Sequence, residues 1–291
     1  MMLKQSIIGD IMYFYTIYGL NICSNSIIDI AQQTSPQQKV DVYIDVKYTS
    51  ELSTKEYISI EEVDNESYII SMPNIARYII TENKISCCSN SYESFISTLF
   101  NMRFSILLLL RNEVLLHVSS LASKQGLILI SGCKGKGKST LTAMLSNTNS
   151  FEFFADDTIR VNKDSNGYGA HSYIKLYPSM VEKLNLKNSG RYNLAGKLYT
   201  TLDNNISNRK IRSLILLNRG NNLNMLKCKE SLKVKYLTCI VGIEYMNQSL
   251  LKRIIPKTSI FEKMYNLTIP NSIEELLCAI PSIEELIEEN I

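Results

Sequence analysis

The sequence predicts an α/β protein in which a core of strands and helices follows a small antiparallel β-rich module. Three observations lead to this fold class. Short segments with the periodicity of strands dominate residues 12–88. A helical spacing of apolar residues begins near residue 92. A glycine-rich segment, residues 132–139, then lies between an apolar strand-like run and a helical segment.

Residues 1–91 are predicted to form the β-rich module. Residues 57–63 and 67–72 flank a polar turn and predict a hairpin, and residues 76–81 and 84–88 flank another. Neighbouring hairpins of this kind indicate an antiparallel sheet. No residue pattern in the module points to chemistry.

Residues 92–291 are predicted to form the second domain, which opens with a helix. Apolar side chains recur at steps of three and four over residues 92–110, as in a helix that buries one face. The recurring residues are Phe95, Leu99, Met102 and Ile106. Two strands, residues 114–118 and 127–130, follow this helix, and the second runs into the glycine-rich segment.

The C-terminal segment contains two capping boxes of the form S-x-x-E, which begin at Ser272 and Ser282. Pro281 separates them, and proline interrupts the hydrogen bonds of a helix. The segment therefore predicts two short helices rather than one long helix.

The glycine-rich segment satisfies the pattern G-x-x-x-x-G-K-[ST] of a phosphate-binding P-loop. Its glycines allow consecutive backbone N–H groups to point at phosphate oxygens, and the helix that follows adds the positive end of its dipole. Lys138 is then expected to contact the β- and γ-phosphates and Ser139 to bind Mg²⁺. The alternative is a surface turn rich in glycine and lysine. The residues predicted to contact the nucleotide are Gly132, Cys133, Lys134, Gly135, Lys136, Gly137, Lys138, Ser139 and Thr140.

Two adjacent acids, Asp156 and Asp157, end a predicted buried strand, residues 151–155. The carboxyl ends of strands in α/β sheets meet at the crevice where ligands bind. An acid in this place after a P-loop serves as a Mg²⁺ ligand or as a catalytic base. The alternative for the pair is a solvated turn.

Composition narrows the classes of partner and compartment. A formal net charge of +3 without a long basic run gives no reason to expect nucleic acid or a membrane surface as a partner. The most apolar stretch, residues 104–110, is far shorter than the roughly 20 residues of a membrane-spanning helix. The seven cysteines have no C-x-x-C spacing and the chain has only two histidines, so a zinc site is not expected. The cysteines are expected to be reduced thiols of a cytoplasmic protein. Lys4 and Asp10 fit a signal peptide poorly.

Three motifs together resemble the C-terminal catalytic domain of the HPr kinase/phosphorylase family. They are Leu-His-Val-Ser-Ser at residues 116–120, the loop at 132–139 and Ala-Asp-Asp at 155–157. The chain is also similar to the stand-alone kinases of lasso-peptide and other peptide-modification clusters, through Tyr-Gly-Leu at 18–20 and an Arg-Tyr segment that begins at Arg77. The resemblance implies a P-loop core of the HPr kinase and phosphoenolpyruvate carboxykinase type.

The resemblance also implies roles for single residues. Lys138 and Ser139 would handle phosphate and Mg²⁺, Asp156 would be the catalytic base, Asp157 would assist the metal, and His117 would tune the acid pair.

Four lysines near these motifs have no assigned role. Lys175 and Lys197 fall where related sequences carry basic residues near the nucleotide or acceptor, although the sequence by itself favours a solvated lysine at each position. Lys134 and Lys136 occupy loop positions where relatives carry small or neutral residues, and side chains that project into solvent are favoured there over a site for an anionic acceptor.

The leading hypothesis is an ATP- and Mg²⁺-dependent kinase that phosphorylates a hydroxyl. The resemblance implies that this hydroxyl belongs to a serine of a peptide or protein substrate, most of all a ribosomal precursor peptide of the lasso type. Whether the chain forms a homo-oligomer stays open. HPr itself is disfavoured as the acceptor, because the glutamate-bearing signature of HPr kinases does not follow the acid pair. One alternative is a small-molecule kinase on the same catalytic core. The other is a nucleotide-binding regulator with little catalysis, which would have no need of the acid pair.

Overall fold

The computed structural model divides into two compact units by its internal contacts, Met1–Leu107 and Leu108–Ile291. Each unit contains its own sheet or sheets and its own buried core. Lys4 and Asp10, considered above, lie outside the described residues. The structure describes residues 11–52, 56–171, 173–193, 195–202, 208–229, 236–254, 260–261 and 263–291, without the side chain of Asn101.

The first unit forms a sheet of eight strands within its described residues. The strands are β1 (Tyr13–Ile17), β2 (Leu20–Ser24), β3 (Gln32–Gln33), β4 (Val42–Tyr48), β5 (Ser59–Asp64), β6 (Ser67–Met72), β7 (Ala76–Ile80) and β8 (Lys84–Ser89). Their order across the sheet is β3, β1, β2, β4, β8, β7, β6, β5.

The two predicted hairpins are confirmed, because β5 pairs antiparallel with β6 and β7 pairs antiparallel with β8. The expectation of a wholly antiparallel module is wrong, since β4 runs parallel to both β2 and β8. Turn residues between adjacent segments reveal hairpins, whereas these parallel pairings join strands that are distant along the chain. Val42, Ile44 and Val46 of β4 are buried, as expected for a central strand.

The predicted helix over residues 92–110 consists of α1 (Tyr92–Thr98), a π-helical turn (Leu99–Arg103) and α2 (Phe104–Leu110). Its four predicted apolar positions are all buried, as the helical spacing requires. Tyr78 of β7 hydrogen-bonds to Thr98 at 2.5 Å, and the Arg103 guanidinium lies 4.8 Å from the centre of the Tyr78 ring. These contacts place α1 with the first sheet. The boundary between the two compact units accordingly falls after Leu107, later in the chain than the predicted boundary before residue 92.

The second unit contains further strands and helices in its described residues. The strands are β9 (Val114–Leu116), β10 (Ser119–Ser123), β11 (Gly126–Ser131), β12 (Glu152–Ala155), β13 (Ile159–Val161), β14 (Asn166–Gly169), β15 (Tyr173–Leu176), β16 (Asn188–Tyr192), β17 (Leu198–Thr201), β18 (Arg209–Arg219), β19 (Asn224–Lys227) and β20 (Lys263–Ile269). The helices are α3 (Lys138–Leu145), α4 (Pro178–Lys183), a 3-10 turn (Ile243–Tyr245), α5 (Gln248–Ile254) and α6 (Ile273–Asn290).

These elements form a mixed α/β architecture with two sheets. In the larger sheet, the parallel strands β11, β18 and β20 lie side by side, and antiparallel strands extend from them. The smaller sheet has the order β15, β17, β16. Side chains of β11, α3 and α6, including Ile130, Leu141 and Ile287, share one buried cluster with Ile174 of β15. This cluster fixes the glycine-rich segment and the smaller sheet on a common core.

A single helix, α6, passes through Pro281, so the expectation of two short C-terminal helices is wrong. Ser272 caps it and accepts a hydrogen bond from the N–H of Glu275 at 3.1 Å. Leu276, Ile283 and Ile287 are fully buried on both sides of the proline. This continuous apolar stripe offsets the one backbone hydrogen bond that proline removes. Among the helices within the described ranges, none combines the length and apolarity needed to cross a bilayer.

Candidate functional site

The predicted order of strand, glycine-rich loop and helix is present. Every residue of β11 is buried, the glycine-rich loop (residues 132–137) follows, and α3 begins at Lys138. Gly135 and Gly137 have φ values of 86° and 94°, in the left-handed region that favours glycine. Gly137 precedes α3 without a capping side chain, so the first N–H groups of the helix are available to an anion.

Arg219, at the end of β18, holds the glycine-rich loop from one side. Its Nε donates to the carbonyl oxygen of Lys136 at 2.9 Å, and another N–H donates to the carbonyl oxygen of Pro270. The guanidinium lies so close to Gly137 that a β-carbon there would collide with it. Sequence reasoning missed Arg219. The sequence feature that could have indicated it is a cationic residue at the end of a long apolar strand.

Asp156 lies next to Ser139 and is 4% exposed. Its Oδ1 accepts a hydrogen bond from the Ser139 hydroxyl at 2.9 Å and another from the Ser119 hydroxyl. Its Oδ2 accepts the backbone N–H of Lys175 at 3.3 Å. The carboxylate beside the expected metal-binding hydroxyl is therefore Asp156, whereas the motifs led us to expect Asp157 there. Ser119 belongs to the quoted motif, but no role was assigned to it.

Asp157 faces a different set of groups, because its backbone adopts a left-handed conformation with φ of 74°. Its Oδ2 lies 2.7 Å from Nζ of Lys175, and its Oδ1 lies 3.6 Å from Nδ1 of His117. Burial works to raise the pKa of Asp157, but the charge and hydrogen bond of Lys175 and the nearby His117 and His171 together outweigh burial, and the net shift is downward. Burial likewise works to lower the pKa of Lys175, but the Asp157 carboxylate raises it overall. Both groups are thus charged near neutral pH.

The sequence led us to expect His117 within a strand, but the structure places it outside one. β9 ends at Leu116 and β10 begins at Ser119, so His117 belongs to the short connection where the chain passes from one to the other. Its backbone N–H donates to the carbonyl oxygen of Cys239 at 2.6 Å, and half of its side chain is exposed. Burial lowers the pKa of His117 despite the nearby Asp157 carboxylate, so the imidazole is neutral near pH 7.

The loop residues differ in their surroundings. Lys138 donates from Nζ to the carbonyl oxygen of Gly132 at 2.7 Å. Burial lowers the pKa of Lys138, and the carboxylates of Asp156 and Asp157 oppose that shift. Cys133, Lys134 and Gly135 are exposed, while Gly132, Lys136, Gly137, Ser139 and Thr140 are partly buried.

Lys175 is the functional candidate that sequence reasoning undervalued. Its side chain is only 22% exposed and forms an ion pair with Asp157 instead of projecting into solvent. Its neighbours Ile174 and Leu176 are buried in the core, so the alternation of β15 turns Lys175 to the opposite face. That alternation was the available signal. Lys197 lies over the ring of Tyr177, with Nζ 5.2 Å from the ring centre.

Comparison with known proteins gives limited information about this chain. No protein-family model matches it, and no curated protein matches it. Among solved structures, it is similar to the Hpr(Ser) kinase/phosphatase from Coxiella burnetii, with 13% identity and a TM-score of 0.32 over 60% of this chain and 88% of that chain. At this level of similarity, the function has to be argued from the residues of the site themselves.

Proposed function

We propose that this protein is an ATP- and Mg²⁺-dependent kinase that transfers the γ-phosphoryl group to a hydroxyl. One observation carries the proposal. A lysine and a hydroxyl at the start of α3, Lys138 and Ser139, come together with two carboxylates at the end of β12, Asp156 and Asp157. A cation, a metal-binding hydroxyl and acids beside a glycine-rich loop are the parts that phosphoryl transfer requires.

The donors of the site fit Mg²⁺. Ser139 Oγ and Asp156 Oδ1 lie 2.9 Å apart, and adjacent ligands of an octahedral Mg²⁺ ion are separated by about 2.9 Å. Within the described residues, no group of three or more histidine, cysteine or acidic side chains forms a metal cage. Mg²⁺ in kinase sites takes only one or two protein ligands and completes its shell with water and phosphate. When bound, the ion would neutralise charge on the β- and γ-phosphates.

Asp157 is better placed than Asp156 to act as the base. Both oxygens of Asp156 already accept hydrogen bonds, whereas Asp157 accepts one from Lys175 through Oδ2 and 37% of its side chain is exposed. In the proposed step, the acceptor oxygen bonds to the γ-phosphorus, the bond to the bridging oxygen breaks, and ADP leaves. The hydroxyl proton passes to the Asp157 carboxylate. Lys175 forms an ion pair with this carboxylate and His117 lies 3.6 Å from it. We therefore assign the two aspartates the reverse of the roles implied by the motifs.

The proposed acceptor is a serine of a ribosomal precursor peptide. This part of the proposal is supported by the resemblance of the sequence motifs to peptide-modifying kinases, and the catalytic groups themselves are compatible with any hydroxyl.

Incubation with γ-labelled ATP, Mg²⁺ and peptides encoded beside the gene tests the proposal. We expect label on a peptide serine, loss of the label with Lys138→Ala, and retention with Lys124→Ala, a matched change at an exposed lysine in the turn between β10 and β11. Label on small hydroxyl compounds alone would point to a small-molecule kinase. ATP binding without any labelled acceptor would contradict the kinase proposal and favour a regulator.

A further inference from the structure

The sheet of β15, β17 and β16 packs one face against the core. On its other face, only Lys175 of β15 belongs to the candidate site. Ile174 and Leu176 of β15 and Leu198 of β17 belong to the buried core cluster. Because side chains alternate along a strand, Lys175 and Tyr199 lie on the opposite face. Every residue of the outer strand β16 is exposed.

A row of side chains crosses this outer face and starts at the candidate site. Lys175, the ion-pair partner of Asp157, is opposite Tyr199 in the β15–β17 ladder. Its Nζ lies 5.7 Å from the centre of the Tyr199 ring, and the guanidinium of Arg191 on β16 lies 5.6 Å from the same centre. Tyr173 packs edge-on against Tyr199 with ring centres 6.1 Å apart. The ring of Tyr199 thus contacts both Lys175 and Arg191.

The charge of this region has one dominant sign. Residues 173–201 contain five lysines and arginines and one acidic residue, Glu182. Lys175 is paired with Asp157 and Lys183 with Glu274, and Arg191 and Lys197 add positive charge beside the tyrosine rings. Lys197, just before β17, extends the row of cations toward Tyr177, whose side chain is more than half exposed. A cationic face with tyrosines is complementary to a segment that carries carboxylates, and the planar guanidinium of arginine matches a carboxylate through two hydrogen bonds.

We propose that this outer face, the acceptor face (Tyr173, Lys175, Arg191, Lys197 and Tyr199), binds a peptide with an acidic side chain three or four residues from the phosphorylated hydroxyl. The inference rests on the proposed kinase function and names its substrate class. With the hydroxyl at Asp157, an extended peptide rises roughly 3.3 Å per residue. Three or four residues are about as long as the contacts from Asp157 through Lys175 and Tyr199 to Arg191 laid end to end, so the acidic side chain can reach Arg191.

Binding of synthetic peptides to the full chain without ATP tests the acceptor face directly. Two sets of fluorescent peptides are compared, each peptide with a single serine. One set carries Asp three or four residues from that serine, and the matched set carries Asn at the same position. We expect the Asp peptides to bind about tenfold more tightly at low ionic strength, the size of one charge-assisted hydrogen-bond pair. Arg191→Gln should abolish this preference, Arg191→Lys should retain part of it, and Arg77→Gln, at an exposed arginine of β7, should leave it intact.

Two results would overturn the inference: equal binding of the Asp and Asn peptides to the wild-type chain, or a preference for Asp that persists in Arg191→Gln. Phosphorylation assays with the same peptides separate this inference from the kinase proposal. Label transfer without any preference for Asp would refute the acceptor face and support the kinase. Arg191-dependent binding without label on any peptide would support the acceptor face and count against the kinase.

Discussion

Asp156 and Asp157 are adjacent in the chain but have different surroundings. Asp156 is buried and accepts hydrogen bonds from two serine hydroxyls, while Asp157 is partly exposed and is paired with a lysine. The left-handed backbone at Asp157 turns its side chain away from that of its neighbour. The two identical residues thereby have different neighbours, and on this difference we base their proposed roles as metal ligand and base.

Substitution of each aspartate by asparagine should affect different kinetic quantities. Asp156→Asn removes the carboxylate that we propose as a Mg²⁺ ligand beside Ser139, so we expect a higher Mg²⁺ concentration for half-maximal rate. Asp157→Asn removes the proposed base, so we expect kcat to fall by about 10² to 10⁴ with a nearly unchanged Mg²⁺ requirement. Initial rates over a Mg²⁺ titration measure both effects. The opposite pattern, with Asp157→Asn shifting the Mg²⁺ requirement, would restore the roles implied by the motifs.

The sequence predicted that a lysine, a serine and two aspartates would form the candidate site, but not which side chains would form hydrogen bonds or ion pairs with each other. Lys138, Ser139 and the two aspartates follow from motifs whose spacing reflects backbone geometry. Lys175 did not follow, because a lysine is solvated or ion-paired according to a partner that lies 18 residues away in the chain. Pairing at that separation depends on how β15 folds back beside the two residues that follow β12, and local patterns do not encode it.

At the scale of elements, the glycine-rich loop is held between its own strand and the end of β18. β11 and β18 run parallel, which brings Arg219 beside the loop. Gly135 and Gly137 both need left-handed backbone conformations, but the surroundings of their α-carbons differ. No atom lies within 4 Å of a β-carbon built at Gly135, whereas one built at Gly137 meets Arg219.

Alanine at these two glycines should therefore have unequal effects. Each substitution costs about 1–2 kcal/mol for the left-handed conformation, and Gly137→Ala must in addition displace Arg219. We expect a larger loss in the free energy of unfolding and weaker ATP binding for Gly137→Ala than for Gly135→Ala. Urea titration and calorimetry measure these quantities. Arg219→Ala in the Gly137→Ala background should recover part of the stability, and equal effects of the two alanines would contradict the proposed clash.

The single helix α6 shows why a local rule failed. Proline at position 281 predicted a break because it removes one backbone hydrogen bond. Leu276 and Ile283, on either side of it, are fully buried on one stripe. Burial of one such side chain contributes about 1.5–3 kcal/mol, which is comparable to the cost of the proline. The tertiary contacts that decide this balance were not visible in the sequence.

At the scale of the whole molecule, all the candidate site residues come from the second unit, Leu108–Ile291. They are positioned by the ends of β9, β11 and β12 and by β15. The predicted α/β class, the order of strand, loop and helix, and the hairpins of the first unit follow from short-range patterns. The parallel pairing of β18 with β11 and β20 does not, because it joins segments separated by dozens of residues.

This division predicts where ligand protection should appear. A ligand stabilises the residues that bind it, so ATP with Mg²⁺ should slow hydrogen–deuterium exchange in the glycine-rich loop, α3 and the residues after β12. We expect exchange in β5, β6 and β7 to change little. Mass spectrometry of peptides from the exchanged protein, with and without the nucleotide, measures this pattern. Protection confined to the first unit would contradict the assigned site.

The bond between Lys138 and the carbonyl oxygen of Gly132 has a consequence for competition among cellular ions. The ammonium already has an acceptor within its own loop, so an entering anion gains only the difference between the two partners. For a weakly interacting monovalent ion such as chloride this difference is small, whereas a polyphosphate offers several charged oxygens to the same donor and to the loop amides. If the loop binds a nucleotide as proposed, it should therefore favour polyphosphates over abundant halide ions.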